Sequence, residues 1–80
     1  MKLPRDLSGS QLASRLGRFG YEPSRQTGSH LRLTSTTMGF AHHVTIPRHR
    51  TLKVGTLAAI LTDVAAYLEI DRDALSEQLF

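Results

Sequence analysis

The sequence TGSHLRLTSTTMGFAHHVTIP (residues 27–47) decides the fold of this 80-residue chain. Leucines alternate with polar residues over 29–34, which is the two-residue period of a half-buried strand. A second alternating segment follows over 40–46 and ends at Pro47, which has no backbone N–H to donate. The pattern predicts two strands of one antiparallel sheet, each with an apolar and a polar face.

A helix and a further strand are predicted ahead of this segment. Ser8 and Gln11 have the spacing of a capping box. Apolar residues follow at helical intervals until Gly20, which suits the left-handed position that ends a helix. Residues 21–26 then predict a first strand, which lies at a sheet edge because Pro23 lacks an N–H.

Two helices are predicted after the strands. The second long helix opens at residues 55–56 and carries an apolar stripe as far as Leu68, and Asp71 can cap a short final helix. This order predicts the α+β class, with helices covering one face of a three-stranded antiparallel sheet. The other, polar face is where reactive and binding side chains are expected.

Length and composition limit the class of protein. Eighty residues suit one domain over 1–80, with a core at about 2–68 and a C-terminal helical extension at 69–80. The absence of cysteine excludes disulfides, thiolate chemistry and Cys-type zinc sites. No apolar run approaches the ~20 residues of a membrane span, and no apolar stretch typical of a signal peptide follows the N-terminus. We therefore expect a cytoplasmic protein without a membrane partner.

Charge is distributed unevenly along the chain. Residues 1–55 hold nine basic and two acidic residues, a net charge of +7, whereas residues 56–80 hold one basic and five acidic residues, a net charge of −4. Eight of the ten basic residues are arginine, whose planar guanidinium suits bidentate phosphate contacts. The basic part favours a polyanionic partner such as nucleic acid. A basic surface that only maintains solubility is the alternative interpretation.

His30 is the main candidate for chemistry, because it follows a tight turn and lies on the predicted polar face. Imidazole exchanges protons near neutral pH. RNA cleavage needs a proton acceptor for the 2′-hydroxyl or a donor for the leaving 5′-oxygen, together with cations for the phosphate. Arg25 and Arg32 are the nearest candidate phosphate ligands, and Arg48 and Lys53 follow in a basic loop. An exposed strand histidine without a role is the alternative interpretation.

The other histidines give weaker signals. His42 and His43 are adjacent in a strand, so they point to opposite faces and do not chelate one metal ion. We expect His42 to be a partly buried structural residue. His43 is a candidate auxiliary residue, diagonal to His30 in one of the registers that the sequence allows. Without cysteine or a helical pair of histidines, we expect no metal ion and no cofactor.

Two further features have structural interpretations. Tyr21 and Phe40 could stack on bases, but their positions favour the edge of the core. Residues 34–37 are rich in hydroxyl groups that could contact phosphate, but they favour a solvated turn.

Taken together, these motifs resemble the HicA family of toxin mRNA interferases, also called YcfA-like. The residues that carry the resemblance are Leu7-Ser8-Gly9, Gly20-Tyr21, Arg25-Gln26, Gly28-Ser29-His30, Val44-Thr45-Ile46-Pro47, His49, Lys53, Gly55-Thr56-Leu57 and Ile60-Leu61. They cover about residues 2–68. The glycine-serine-histidine motif combined with the segment that opens the second long helix is specific to the family.

The resemblance implies a fold like that of a double-stranded RNA-binding domain, in the order α-β-β-β-α. It implies a metal-independent endoribonuclease that cleaves mRNA and inhibits translation, with His30 as the catalytic histidine. It also implies a HicB-like antitoxin that binds the toxin and covers the site. Many members have a second histidine where this chain has Leu31. A non-catalytic RNA-binding module of the same fold and a subunit that docks an acidic protein are the alternatives.

Overall fold

The computed structural model describes residues 3–80, so the predicted core boundary at residue 2 lies outside the described residues. The elements are α1 (Gly9–Leu16), a 3₁₀ turn (Gly17–Phe19), β1 (Glu22–Thr27), β2 (His30–Ser35), β3 (His42–Pro47), α2 (Val54–Leu68) and α3 (Arg72–Leu79). The predicted α+β fold and its α-β-β-β-α order are confirmed. Each strand begins one or two residues later than its predicted start.

The N-terminal helix begins where the capping box predicts. The Ser8 hydroxyl accepts from the Gln11 backbone N–H at 3.0 Å, and the Gln11 side-chain oxygen accepts from the Ser8 N–H at 2.9 Å. After the 3₁₀ turn, Gly20 adopts a φ of 83°, and a Cβ at this position would clash with the Thr37 side chain. Gly20 is therefore required for the turn that leads from α1 into β1.

The three strands form one antiparallel sheet in the order β1-β2-β3. On the apolar face Leu33 lies opposite Val44, and both are buried, as is Ile46. The edge strand β1 is exposed along its whole length and carries a bulge between Pro23 and Arg25. This matches the edge position that the proline predicts.

The core lies between the apolar sheet face and the helices. Its fully covered helical side chains are Leu12, Leu16, Leu57, Leu61, Val64 and Leu75. Burying a leucine stabilises the folded chain by about 1.5–3 kcal/mol relative to leaving it exposed, so these contacts dominate stability. Among the described residues, none of the helices is long and apolar enough to span a bilayer.

The C-terminal helix α3 packs against the end of α1. The Asp71 carboxylate accepts from the backbone N–H groups of Asp73 and Ala74, at 3.1 and 3.3 Å, which confirms the predicted cap. From α1, the Arg15 guanidinium donates to the Leu79 carbonyl at 3.1 Å and lies 5.4 Å from the centre of the Phe80 ring.

Two expectations about the β2–β3 connection are wrong. Phe40 is 63% exposed rather than part of the core edge, because Tyr67 of α2 fills that position and bonds the loop backbone. The Tyr67 hydroxyl donates to the Phe40 carbonyl at 2.5 Å and accepts from the Met38 N–H at 3.1 Å. Ser35 is buried rather than solvated, and its hydroxyl lies 3.1 Å from that of Thr37.

Candidate active site

His30 is the first residue of β2, at the corner where the β1–β2 turn enters the sheet. Gly28 in this turn has a φ of 52°, a conformation that side-chain-bearing residues rarely adopt. His30 pairs with Thr27 on β1 and with Pro47 on β3. It therefore lies in the central strand, on the polar face, at one end of the sheet.

The His30 imidazole is exposed to solvent. Within residues 3–80 it has no side-chain hydrogen-bond partner, whereas His42 and His43 each have one on Nδ1 at 2.7 Å. A ring with both nitrogens accessible can accept a proton from a bound substrate or donate one to it.

Two arginines lie next to His30 on the same sheet face, and a third lies beside the turn that precedes it. Arg32 follows it by two residues on β2, and Arg25 lies opposite Arg32 on β1. Strand geometry places the Cα atoms of both arginines within about 8 Å of that of His30. Arg48 directly follows β3, and its backbone N–H donates to the Ser29 carbonyl at 2.6 Å, beside the turn. The long side chains of Arg25 and Arg32 can reach a phosphate held against the imidazole, whereas Arg48 lines a groove on the helix side of the sheet.

The positive charge at this end of the sheet is not neutralised by carboxylates of the described segment. Residues 3–80 contain one salt bridge. It joins His42 to Asp63, at the other end of the sheet. The guanidinium groups of Arg15 and Arg18 donate to backbone carbonyls near the C-terminus. The arginines near His30 are therefore available for an anionic ligand.

Lys53 does not share the sheet face with His30. It is the exposed N-cap residue of α2, after a loop in which the Leu52 N–H donates to the Leu7 carbonyl at 2.8 Å. Its charge lies in the loop between β3 and α2, away from the polar sheet face.

His43 does not lie diagonally to His30, so that register is wrong. It pairs with Thr34, four residues along β2 from His30, which corresponds to about 13 Å. Its Nδ1 lies 2.7 Å from the Thr34 hydroxyl. Thr45, the partner of Arg32, holds the diagonal position. The buried apolar pairs set this register, because a one-residue shift would turn them toward solvent.

His42 lies on the core face, half-buried and bonded at both ring nitrogens. Its Nδ1 lies 2.7 Å from the Tyr21 hydroxyl, and its Nε2 lies 3.3 Å from the Asp63 carboxylate. Its ring stacks on Tyr67 with a centroid distance of 4.6 Å. Burial raises the pKa of Tyr21 well above its usual range, and the neighbouring Tyr67 and Asp63 raise it further. The Tyr21 hydroxyl therefore stays protonated. Its contact with the half-buried His42 ring confirms the structural position expected for this histidine.

Sequence reasoning missed the partners of His42 in α2. Asp63 and Tyr67 are four residues apart, which places both on one helix face. This spacing is the feature of the sequence that could have indicated them as partners of His42. Within residues 3–80, no three His, Asp or Glu side chains form a cluster that could hold a metal ion.

A groove of about 390 Å³ opens between α1 and β1, on the helix side of the sheet. Gln26, Leu31 and Arg48 line it. Leu31 directly follows His30, and Arg48 directly follows the strand partner of His30, so the groove begins next to the candidate active site.

Comparison with known proteins assigns the chain to a protein family. Residues 9–65 match the family described as the HicA toxin of bacterial toxin-antitoxin. No curated protein and no solved structure matches the chain. The matched range runs from the start of α1 into α2 and contains the whole sheet, including His30 and its neighbouring arginines. The chain therefore belongs to the HicA family of toxins of bacterial toxin–antitoxin systems.

Proposed function

We propose that this toxin is an endoribonuclease that cleaves mRNA and thereby inhibits translation, with His30 as its general acid or base. The observation that carries the proposal is an exposed imidazole without a bonded partner in the described chain, with the cross-strand pair of Arg25 and Arg32 two positions away on the same sheet face. Family membership supports the toxin role.

The proposed reaction uses the nucleophile that RNA itself carries. The 2′-oxygen attacks the adjacent phosphorus, the bond between phosphorus and the 5′-oxygen breaks, and a 2′,3′-cyclic phosphate and a 5′-hydroxyl form. One proton leaves the 2′-hydroxyl and one joins the departing 5′-oxygen. His30 performs one of these transfers and water the other, so the step requires no metal ion or cofactor. A positioned acid or base of this kind contributes about 10²–10⁴-fold in rate.

The basic side chains hold the substrate in this proposal. Arg25 and Arg32 bind the scissile phosphate and stabilise the charge that develops on it in the transition state. Arg48 and Lys53 bind phosphates of neighbouring nucleotides in the RNA. We assign His43 an auxiliary contact with RNA farther along the sheet face, because its distance from His30 separates it from the scissile bond.

We further propose that a HicB-like antitoxin neutralises the toxin by covering His30 and the neighbouring arginines. Such a cover needs acidic side chains to complement this surface. The toxin acts as one domain on mRNA in the cytoplasm.

The test is the cleavage rate of His30→Ala on an mRNA transcript, together with growth arrest on induction. We expect a loss of at least about 10²-fold and a melting temperature equal to that of the wild type. His43→Ala is the matched control, since it removes another exposed histidine from the same face, and it should keep most of the activity. A folded His30→Ala protein that cleaves at the wild-type rate would refute the assignment. RNA binding without products at any pH would favour the non-catalytic module.

A further inference from the structure

The end of the sheet opposite His30 carries a groove that the proposed nuclease function does not use. The groove encloses about 450 Å³ where the β2–β3 loop meets the C-terminal half of α2. Its walls include Met38 and Phe40 from the loop and Asp63, Tyr67 and Glu69 from the helix and its end. We refer to it as the Phe40 groove.

The apolar wall of the Phe40 groove is exposed and held in place. Phe40 is 63% exposed and Met38 37%. The Phe40 ring packs edge-on against Tyr67, with a centroid distance of 5.0 Å and an interplanar angle of 82°. The Tyr67 hydroxyl bonds the backbone of both Phe40 and Met38. A partner that binds here therefore meets a preformed apolar surface, which lowers the entropic cost of binding.

The rim of the Phe40 groove is acidic. The Asp63 side chain is 60% exposed, although one of its oxygens faces His42. Glu69 is exposed and ends α2, where the carbonyl groups of the last turn add negative partial charge. This rim repels the phosphates of a nucleic acid and attracts a cationic side chain. The groove therefore suits a protein partner rather than RNA.

We propose that the Phe40 groove docks a segment of a protein partner that carries an arginine or lysine next to an apolar side chain. The cation lies over the open face of Phe40 and pairs with Glu69 or Asp63. The neighbouring apolar side chain contacts Met38. We infer this occupant because its cation complements the acidic rim and the exposed aromatic ring.

The position of the Phe40 groove determines what docking does to the toxin. The groove and His30 lie at opposite ends of β2, which corresponds to about 17 Å along the strand. A partner in the groove leaves His30 and its arginines accessible. Docking therefore tethers the toxin to another protein without blocking the candidate active site.

A display library of random dodecapeptides, selected on the full-length chain and counter-selected on Phe40→Asp, tests this proposal. We expect the enriched peptides to carry arginine or lysine beside an apolar residue. A synthetic copy of the best peptide should bind Phe40→Asp and Glu69→Lys at least tenfold more weakly than wild type, and more weakly at high salt. Val54→Asp is the matched control because Val54 is also an exposed apolar residue, 49% accessible, at the other end of α2. It should bind the peptide as wild type does.

Several results would overturn the proposal. One is the absence of any peptide that is enriched on wild type over Phe40→Asp, or the enrichment of acidic peptides. Another is an RNA oligonucleotide that displaces the amide signals of Met38 and Phe40 in NMR spectra. A third is self-association of the wild-type chain, measured by sedimentation, that Phe40→Asp abolishes. The selection contains no RNA, so its outcome is independent of whether the chain is a nuclease.

Discussion

The two ends of the sheet hold histidines in opposite environments. His42 is half-buried, bonded to Tyr21 and Asp63 through its two ring nitrogens, and stacked on Tyr67. His30 is exposed and has no side-chain partner among residues 3–80. A ring whose nitrogens are both occupied has a fixed tautomer and orientation, so it stabilises the fold. An accessible ring can exchange protons with a substrate, so neighbouring groups decide which histidine reacts.

The two ends of the sheet also differ in charge. Arg25 and Arg32 lie next to His30, whereas carboxylates of Asp63 and Glu69 lie at the other end, beside His42 and the exposed Phe40 ring. One end therefore suits a polyanion and the other a cationic protein segment.

A substrate with a 2′-deoxy nucleotide at the scissile position should not be cleaved, because it lacks the nucleophile of the proposed reaction. Gel analysis of end-labelled oligonucleotides measures the products, with the all-RNA oligonucleotide of the same sequence as control. Cleavage of the deoxy substrate at the RNA rate would rule out attack by the 2′-oxygen, while leaving the family assignment intact.

Replacing both Arg25 and Arg32 by alanine should lower the cleavage rate by about 10²-fold or more, because it removes charge stabilisation at the phosphate. The salt dependence of RNA binding should also weaken, with a log–log slope smaller by about 0.7 for each lost phosphate contact. Arg15→Ala, on the opposite side of the molecule, is the control and should change neither quantity. Equal losses in both variants would mean that the charge near His30 has no special role.

The fold and the family were predictable because their signals are local. The Ser8 capping box, the Asp71 cap and the leucine alternation in β2 each depend on a few consecutive residues. The alternation also placed His30 on the polar face. The position of His43 was not predictable, because the register depends on which apolar pairs meet across β2 and β3. The exposure of Phe40 depends on Tyr67, a residue of another element, that occupies the core edge in its place.

Tyr67→Phe should destabilise the chain by about 1–3 kcal/mol, because it leaves the Phe40 carbonyl and the Met38 N–H without their partner. Urea denaturation followed by circular dichroism measures the free energy of unfolding. Thr62→Ala removes a hydroxyl of the same helix that bonds the Ala58 carbonyl and the Arg72 guanidinium at the exposed surface, where water can replace it. It should therefore cost no more than about 0.5 kcal/mol. Unchanged stability of Tyr67→Phe would contradict the view that this hydroxyl holds the β2–β3 loop.

Tyr21→Phe should cost about 1 kcal/mol at neutral pH through loss of the hydrogen bond to His42. The pKa of Tyr21 is raised in the folded chain, so the native state retains this proton longer than the unfolded state does. The contribution of Tyr21 to stability is therefore present below the ordinary tyrosine pKa of roughly 10 and is lost as the pH rises above it. The difference between wild type and Tyr21→Phe should shrink in urea unfolding above roughly pH 10. A constant or growing difference would contradict this assignment.

The division between a reactive and a structural histidine is tested by comparing His30→Ala with His42→Ala in the same two assays, RNA cleavage and urea unfolding. We expect His30→Ala to lose at least about 10²-fold in cleavage rate and less than about 0.5 kcal/mol in unfolding free energy. We expect His42→Ala to lose about 1–3 kcal/mol of stability and, where it remains folded, to cleave at nearly the wild-type rate. The reverse pattern, an active His30→Ala beside a stable but inactive His42→Ala, would show that His30 is not the reactive histidine.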